Sequence, residues 1–337
     1  MPVDFTRRVP RQLAEGLRRT RVSGRLLLAV SGGADSMAML RASAAIAGRL
    51  SIDLVVGHLD HALRPESRDD ANWVAEQARV LGLDCQIARI DVAAEAARRG
   101  RGIEETARRV RYEWLAAAAR EAGAASVATA HTANDSAETI LFHLLRGTGL
   151  AGCRGIAPSR KLTAKVRLVR PMLAISRDDV LAYLAEIGQE FREDPTNADL
   201  GHTRNRIRHQ ILPELRASIN PRLDQALVRL AEQSRQTQAL LARIARRELK
   251  ESLIEMGPER IRIETRRLGK RRPIIVRETL RLVWRRAGWP RQAMSAAHWD
   301  ALARIVREGG RRTLPGDIDA RASGGELVIW RGAGQEE

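Results

Sequence analysis

Cysteine is scarce in this sequence, and its two copies, Cys85 and Cys153, stand far apart. Isolated cysteines exclude a disulfide framework, a CxxC redox pair and a zinc cluster, so we expect both side chains to have packing roles. The chain also lacks any run of eighteen apolar residues, and its first residues lack the apolar segment of a secretory signal. We therefore expect a cytoplasmic protein with no membrane partner.

Lysine is also scarce: only four of the 58 basic residues are Lys, and the others are Arg. A genome that favours Arg codons explains part of this bias, but it does not explain the distribution of charge. Residues 1–150 carry 21 basic and 18 acidic side chains, whereas residues 151–337 carry 37 and 23. Excess positive charge in one half attracts polyanions, so a nucleic acid is favoured over a merely solvated basic surface. A chain of 337 residues is expected to form two domains.

No GxxxxGK[ST] sequence occurs, which excludes a Walker A loop, but a shorter Gly-rich stretch lies between an apolar run and a helical pattern. Glycines allow a tight turn close to a ligand, and the first amides of the following helix are unpaired donors that favour anions. The acidic residue of this stretch is expected to cap the helix or to hold Mg²⁺ beside phosphate. The alternative is an ordinary capped turn. The candidate phosphate-binding residues are Ser31, Gly32, Gly33, Ala34, Asp35 and Ser36.

Short apolar runs alternate with helical patterns over the first 130 residues, which predicts an α/β fold with a doubly wound parallel sheet. Polar stretches follow three of the predicted strands, at 31–36, 58–64 and 131–139, and the carboxyl ends of such strands meet in one cleft. We predict strands at 26–30, 53–57, 85–90 and 126–130, and helices at 10–20, 37–47, 70–81 and 103–122.

The loops after the second and fourth strands supply His58, His61 and His131. Contact with a polar ligand is favoured over a metal site, because no HExxH pattern is present. Arg108 and Arg111 are three residues apart and share a helix face, where they either meet phosphates or pair with nearby glutamates.

The second half of the chain predicts a smaller, mainly helical domain with a terminal β-hairpin. The GxGxxG match at 147–152 follows a helix and is therefore expected to be a helix end and turn. Ser176 is expected to cap a helix over 177–187. Further predictions are a strand within 164–175, a polar loop at 194–197, a helix from about 221 to about 257, helices at 274–287 and 295–307, and a hairpin at 317–331.

The SGGADS loop resembles that of the N-type ATP pyrophosphatases, or PP-loop family, which split ATP between its α- and β-phosphates. The motifs HLDHALR (58–64), ARRVRY (107–112), AHTANDSAET (130–139), LLRGTGLAG (144–152), RPML (170–173), DPTN (194–197) and RNRIRH (204–209) are similar in order and spacing to those of bacterial tRNA(Ile)-lysidine synthases. The resemblance implies that ATP adenylates the C2 oxygen of the wobble cytidine of tRNA(Ile) with a CAU anticodon. Free lysine then displaces AMP.

The resemblance implies a catalytic domain over 1–215 and a basic tRNA-contacting domain over 216–337. The family's third motif usually reads close to AHHxDDQxET, and Thr132, Asn134 and Ser136 depart from it here. Carried onto this chain, the implied roles are catalysis by Asp35, Asp135, Arg108 and Arg111, Mg²⁺ binding by Asp35, nucleotide contacts by the 31–36 loop, His58, His61 and His131, and substrate contacts by Asn134, Glu138, Arg204, Arg208, Arg266, Arg267 and Arg271.

Two alternatives remain. PP-loop RNA thiolases share the loop but carry sulfur on catalytic or cluster cysteines, and an ATP-gated RNA-binding protein needs no catalytic acid. From the short stretch that follows the hairpin, we expect the additional C-terminal domain of longer family members to be absent.

Overall fold

The computed structural model describes residues 4–192 and 203–332. The predicted polar loop at 194–197 lies outside these residues. By internal contacts the chain divides into two compact units, Met1–Glu232 and Gln233–Glu337. This division falls later than the domain boundary predicted at 215/216, which stays a prediction. Among the described residues, no helix has the length and apolar character needed to span a membrane.

A six-stranded sheet forms the centre of the first unit, with the order β3-β2-β1-β4-β6-β5. Five strands are parallel, and β5 pairs antiparallel with β6. This confirms the predicted doubly wound α/β fold. The strands are β1 (Gly24–Ala29), β2 (Ile52–Asp60), β3 (Asp84–Arg89), β4 (Ser126–Ala128), β5 (Ser159–Lys161) and β6 (Arg167–Val169).

Helices cover both faces of this sheet because successive side chains of a strand point to opposite sides. Leu26 and Leu28 pack in the core formed with α1, α2, α3 and α7, whereas Leu27 packs in the core formed with α5. The α-helices of the first unit between residues 4 and 192 are α1 (Phe5–Arg19), α2 (Ala34–Leu50), α3 (Ser67–Val80), α4 (Val92–Arg99), α5 (Ile103–Glu121), α6 (Ala133–Leu145) and α7 (Arg177–Glu186).

The last segment of the first unit is helical and packs on α6 through Ile207, Leu212 and Leu227. It comprises α8 (Thr203–Arg206), a π-helical turn (Ile207–Ile211), α9 (Leu212–Ser218) and the start of α10 (Leu223–Ser252).

The second unit combines helices with a five-stranded antiparallel sheet of order β7-β8-β11-β10-β9. Its core contains Trp284, Trp289 and Trp299 with apolar strand residues. Its elements after α10 are β7 (Leu253–Met256), β8 (Arg260–Glu264), α11 (Thr265–Leu268), α12 (Pro273–Arg286), α13 (Ala296–Glu308), β9 (Gly310–Leu314), β10 (Ile318–Ser323) and β11 (Glu326–Arg331).

The predicted terminal hairpin is confirmed, but three further strands extend it into a sheet that sequence patterns did not reveal. The long helix was predicted to end near 257, and this was wrong because α10 ends at Ser252. Gly257 instead closes a hairpin between β7 and β8, where its amide donates to the Arg260 carbonyl at 2.8 Å. Of the basic stretch at 266–272, Arg266 and Arg267 lie in helix α11, and the remaining basic residues connect this helix to α12.

Candidate active site

The 31–36 loop joins β1 to α2 and is held by the Ser36 hydroxyl. Ser36 Oγ accepts a hydrogen bond from the Ser31 amide at 3.2 Å and donates to the Gly33 carbonyl at 2.8 Å. Gly32 has a φ of +93°, which favours glycine. Gly33 is the N-cap of α2 and no side chain caps the helix, so the expectation that Asp35 caps it was wrong. The uncapped amides at the positive end of α2 form a cradle suited to phosphate.

Asp35 lies in the first turn of α2, where its Oδ2 accepts from Arg177 Nη1 at 2.6 Å. Burial raises the pKa of Asp35 to about 6, although Arg177 opposes this shift. The second oxygen, Oδ1, is buried and has no hydrogen-bond partner among the described residues. This open carboxylate oxygen beside a phosphate cradle fits a Mg²⁺ ligand, since Mg²⁺ commonly combines one or two carboxylates with substrate phosphates and water.

Asp135 and Glu138 lie on the first turns of α6, which follows β4. Asp135 Oδ2 accepts from the Thr132 amide at 2.8 Å and from its hydroxyl at 3.0 Å. Arg208 donates to Asp135 Oδ1 and to Glu138 Oε2, both at 2.8 Å, and Arg204 lies 3.6 Å from Glu138 Oε1. Burial raises the pKa of Glu138, and Arg208 opposes this shift. Arg204 and Arg208, four residues apart, therefore both contact Glu138.

Asn134 connects three helices of the first unit. Its Oδ1 accepts from the Arg177 amide at 2.8 Å, and its Nδ2 donates to Asp224 Oδ2 at 3.1 Å. Arg216 binds both oxygens of Asp224, at 3.0 and 3.1 Å. Since the Arg177 side chain pairs with Asp35, this chain of contacts joins the N-termini of α2, α6 and α7 at one site.

The three histidines occupy different environments. His58 is buried, and its Nδ1 lies 2.9 Å from the Val30 carbonyl oxygen, so one ring nitrogen is hydrogen-bonded to the backbone after β1. His131 Nδ1 lies 3.0 Å from Thr129 Oγ1. Burial lowers the pKa of His61 and of His131 to about 4, and the charge of Arg111 contributes to both shifts. Both rings are therefore neutral at pH 7, which suits contact with a ligand.

Arg108 and Arg111, which the resemblance implies as catalytic residues, belong to a cationic group around His131. Arg108 lies over the Tyr112 ring at 5.3 Å, and Arg170 and Arg111 both lower the pKa of His131. Arg170 is buried, directly follows β6 and donates to the Ala157 carbonyl at 2.7 Å. This group places positive charge at the same sheet edge as the 31–36 loop.

Sequence reasoning missed Arg170 and Arg177, two of the cationic residues of this site. Arg170 follows a strand, so the rule that strand ends build the cleft was sufficient to find it. Arg177 directly follows the predicted helix cap Ser176, but no local pattern indicated its pairing with Asp35. A metal site at His58 and His61 receives no support, because the described ranges contain no group of three or more His, Cys, Asp or Glu residues that is arranged to hold a metal ion.

The predicted substrate contacts in the second unit differ in their surroundings. Arg267 Nε and Arg271 Nε form ion pairs with Oε2 of Glu248, a buried residue of α10, at 3.6 and 2.9 Å. Arg267 also pairs with Glu251. Arg266 is exposed. Within this unit, Arg267 and Arg271 therefore neutralise a buried carboxylate.

A family model matches most of the first unit, and relatives match most of the chain. A family model of the PP-loop domain matches residues 4–215. The chain is 39% identical over 308 residues to the tRNA(Ile)-lysidine synthase of Deinococcus radiodurans, covering 91% of this chain and 48% of that protein. It is 35% identical over 319 residues to the tRNA(Ile)-lysidine synthase of Geobacter sulfurreducens, covering 92% and 66%.

These coverages show that the chain spans about half to two thirds of the length of these two relatives. Among solved structures, the U34-tRNA thiolase NcsA from Methanococcus maripaludis, with its [4Fe-4S] cluster, superposes with a TM-score of 0.56 at 16% identity. That match covers 68% of this chain and 78% of the thiolase, and at this identity it supports the fold alone.

Proposed function

This chain belongs to the PP-loop family, and from that premise we propose that it is an ATP-dependent ligase that joins lysine to C2 of the wobble cytidine of tRNA(Ile) with a CAU anticodon. The products are lysidine, AMP and pyrophosphate. The observation that carries the proposal is the meeting of the α2, α6 and α7 N-termini through Asp35, Arg177 and Asn134. This meeting supports a phosphate-binding role for the α2 N-terminus close to the carboxylates of α6. Similarity to tRNA(Ile)-lysidine synthases over most of the chain supports this substrate.

The 31–36 loop is proposed to bind the phosphates of ATP. Amides at the start of α2 act on the negative charge that builds up during adenylation, and Arg108 and Arg111 add positive charge at the same edge. Mg²⁺ would be held by Asp35, where it supplies further charge stabilisation to the phosphates. His58, His61 and His131 are proposed nucleotide contacts. Because the pKa of His131 is about 4, this residue acts as a hydrogen-bond partner and is a weak base.

Asp135 and Glu138 are proposed to receive the amine of lysine, which carries a positive charge in solution. In the structure the cationic side chains of Arg204 and Arg208 occupy both carboxylates. A carboxylate pair that binds guanidinium groups also suits an ammonium group. Asn134, Arg204 and Arg208 complete the proposed substrate contacts, and the exposed Arg266 is a proposed phosphate contact to tRNA.

The thiolase alternative needs a reactive sulfur. Burial raises the pKa of Cys85 to about 11, which keeps this thiol protonated, and Cys153 is buried. Cys85 therefore lacks the low pKa of a reactive thiolate, and Cys153 lacks the exposure of one.

The test is incubation of the full chain with tRNA(Ile), ATP and isotopically labelled lysine. We expect labelled lysidine in the digested nucleosides, with AMP and pyrophosphate in equal amounts. Formation of ADP and phosphate would contradict the proposal, as would sulfur incorporation or an unmodified cytidine. Asp53→Asn is a matched control for the acidic residues, because Asp53 is exposed on β2 and belongs to no part of the site.

A further inference from the structure

The C-terminal end of α6 exposes an unusual amount of apolar side chain. Leu144, Leu145 and Leu150 are 38%, 64% and 43% exposed. The turn after the helix folds back on it, because the Thr148 amide donates to the His143 carbonyl at 3.2 Å. His143 Nδ1 also lies 3.0 Å from the Gly152 carbonyl. The turn that carries Leu150 is therefore held against the end of α6, where Leu144 and Leu145 lie.

Two arginines flank this surface. The guanidinium carbons of Arg146 and Arg204 lie 4.9 and 5.6 Å from the centroid of the Phe142 ring. Within residues 4–192 and 203–332, Arg146 forms no ion pair, so no carboxylate of this described part of the chain neutralises its charge. We define the α6 patch as Phe142, Leu144, Leu145, Arg146, Leu150 and Arg204.

The α6 patch is continuous with the candidate active site. Arg204 contacts both the Phe142 ring and Glu138, so one side chain belongs to both regions. A helix rises about 1.5 Å per residue, which places Leu145 about 15 Å along α6 from Asp135. That distance corresponds to about four stacked nucleotides at about 3.4 Å each.

Resting on the proposed function, we propose that the α6 patch binds the unpaired anticodon-loop bases that neighbour the modified cytidine. Single-stranded RNA is recognised where splayed bases stack on aromatic rings, apolar side chains and guanidinium planes, with arginine charge on the phosphates. The α6 patch supplies these groups beside the site where the cytidine reacts. A symmetric contact between two copies is disfavoured, since it brings the Arg146 charges of both copies together.

The test measures RNA binding without ATP or lysine. The probes are a hairpin RNA with a CAU-containing loop and a blunt duplex of the same stem. We expect Leu145→Ser, Leu150→Ser and Arg146→Gln each to weaken hairpin binding several-fold, and the triple variant to weaken it by more than tenfold, with duplex binding unchanged. Val80→Ser is the matched control, because Val80 is an apolar residue that is 60% exposed at the end of α3.

Unchanged hairpin affinity of the triple variant would overturn the proposal, and so would an equal loss of duplex affinity. A change in oligomeric state by light scattering, with hairpin affinity intact, would assign the α6 patch to a protein interface instead and equally overturn it. Thermal unfolding that matches the parent protein shows that each variant is folded. Because no lysine or ATP is present, the result is independent of whether the full chain makes lysidine.

Discussion

Asn134 offers a sharp test of the contacts that position the acidic residues. Its amide donates to Asp224 Oδ2 at 3.1 Å, so Asn134→Asp places a second carboxylate against Asp224. Two carboxylates about 4 Å apart repel by about 4 kcal/mol at an effective dielectric constant of about 20. Arg216, which binds both Asp224 oxygens, offsets part of this repulsion. We therefore expect Asn134→Asp to lower the free energy of unfolding by about 2–3 kcal/mol.

The exchange variant Asn134→Asp with Asp224→Asn restores one amide and one carboxylate with their positions reversed. The carboxylate introduced at position 134 still accepts from the Arg177 amide, and the side-chain amide introduced at position 224 donates to that carboxylate. We expect the exchange to recover at least half of the loss, which gives a coupling energy of about 1 kcal/mol or more in a double-mutant cycle. Asn134→Ala removes the hydrogen bonds without adding charge, and its expected cost is about 1 kcal/mol.

Urea denaturation of the full chain, followed by circular dichroism, measures these differences. Lysine-dependent activity provides a second readout, because displacement of the α6 N-terminus is expected to raise KM for lysine more than it lowers kcat. The reasoning is refuted if Asn134→Asp costs less than Asn134→Ala, or if the exchange variant is no more stable than the sum of its two single changes predicts.

Three further predictions concern charge. Asp35→Asn and Asp135→Asn are each expected to cost about 2–4 kcal/mol of transition-state stabilisation in pyrophosphate release while tRNA binding stays unchanged, and near-normal release would contradict the assignment. The pKa of His61 and of His131 is about 6.5 in the unfolded chain but about 4 in the folded protein, so the free energy of unfolding falls as the pH drops from 6.5 to 4. His131→Gln removes one of these groups and is expected to flatten this decline by up to about 1.4 kcal/mol per pH unit. Urea titrations at several pH values measure the difference. Replacing both Arg267 and Arg271 with Gln leaves the buried carboxylate of Glu248 without these cationic partners, and is expected to lower the free energy of unfolding of the second unit by about 3 kcal/mol. Arg266→Gln is instead expected to reduce the slope of log affinity for tRNA against log salt concentration by about 0.7–0.9.

The sheet of the first unit was predictable because buried parallel strands produce apolar runs whose signal is local. All four strands predicted before residue 131 are present, with bounds shifted by a few residues. β5 escaped prediction because its three residues, Ser159–Lys161, are exposed and polar at the sheet edge. In the second unit, β7 continues directly from α10, so no turn residue separates the helical pattern from the strand.

The candidate site was predictable where residues follow strands, since topology brings those positions together. The arginine partners were less accessible to sequence reasoning. Arg177 and Arg208 lie 142 and 73 residues from the acids they contact, and nothing in local spacing specifies such pairs. The same limit applies to Glu248, a buried carboxylate that pairs with two of the expected substrate contacts, Arg267 and Arg271.

Each of the three departures from the family's third motif has its own contact in this structure. Thr132 binds Asp135 Oδ2 through both its amide and its hydroxyl, and Asn134 binds Asp224. A Cβ placed on Gly155 would lie 2.7 Å from Ser136 Oγ, so glycine at 155 leaves room for the Ser136 side chain. Each departure therefore matches a neighbour in this chain, while Asp135 and Glu138 keep their places on α6. Of the three residues, Thr132 supports Asp135 directly, and Asp135 and Glu138 face the cationic side chains of Arg204 and Arg208.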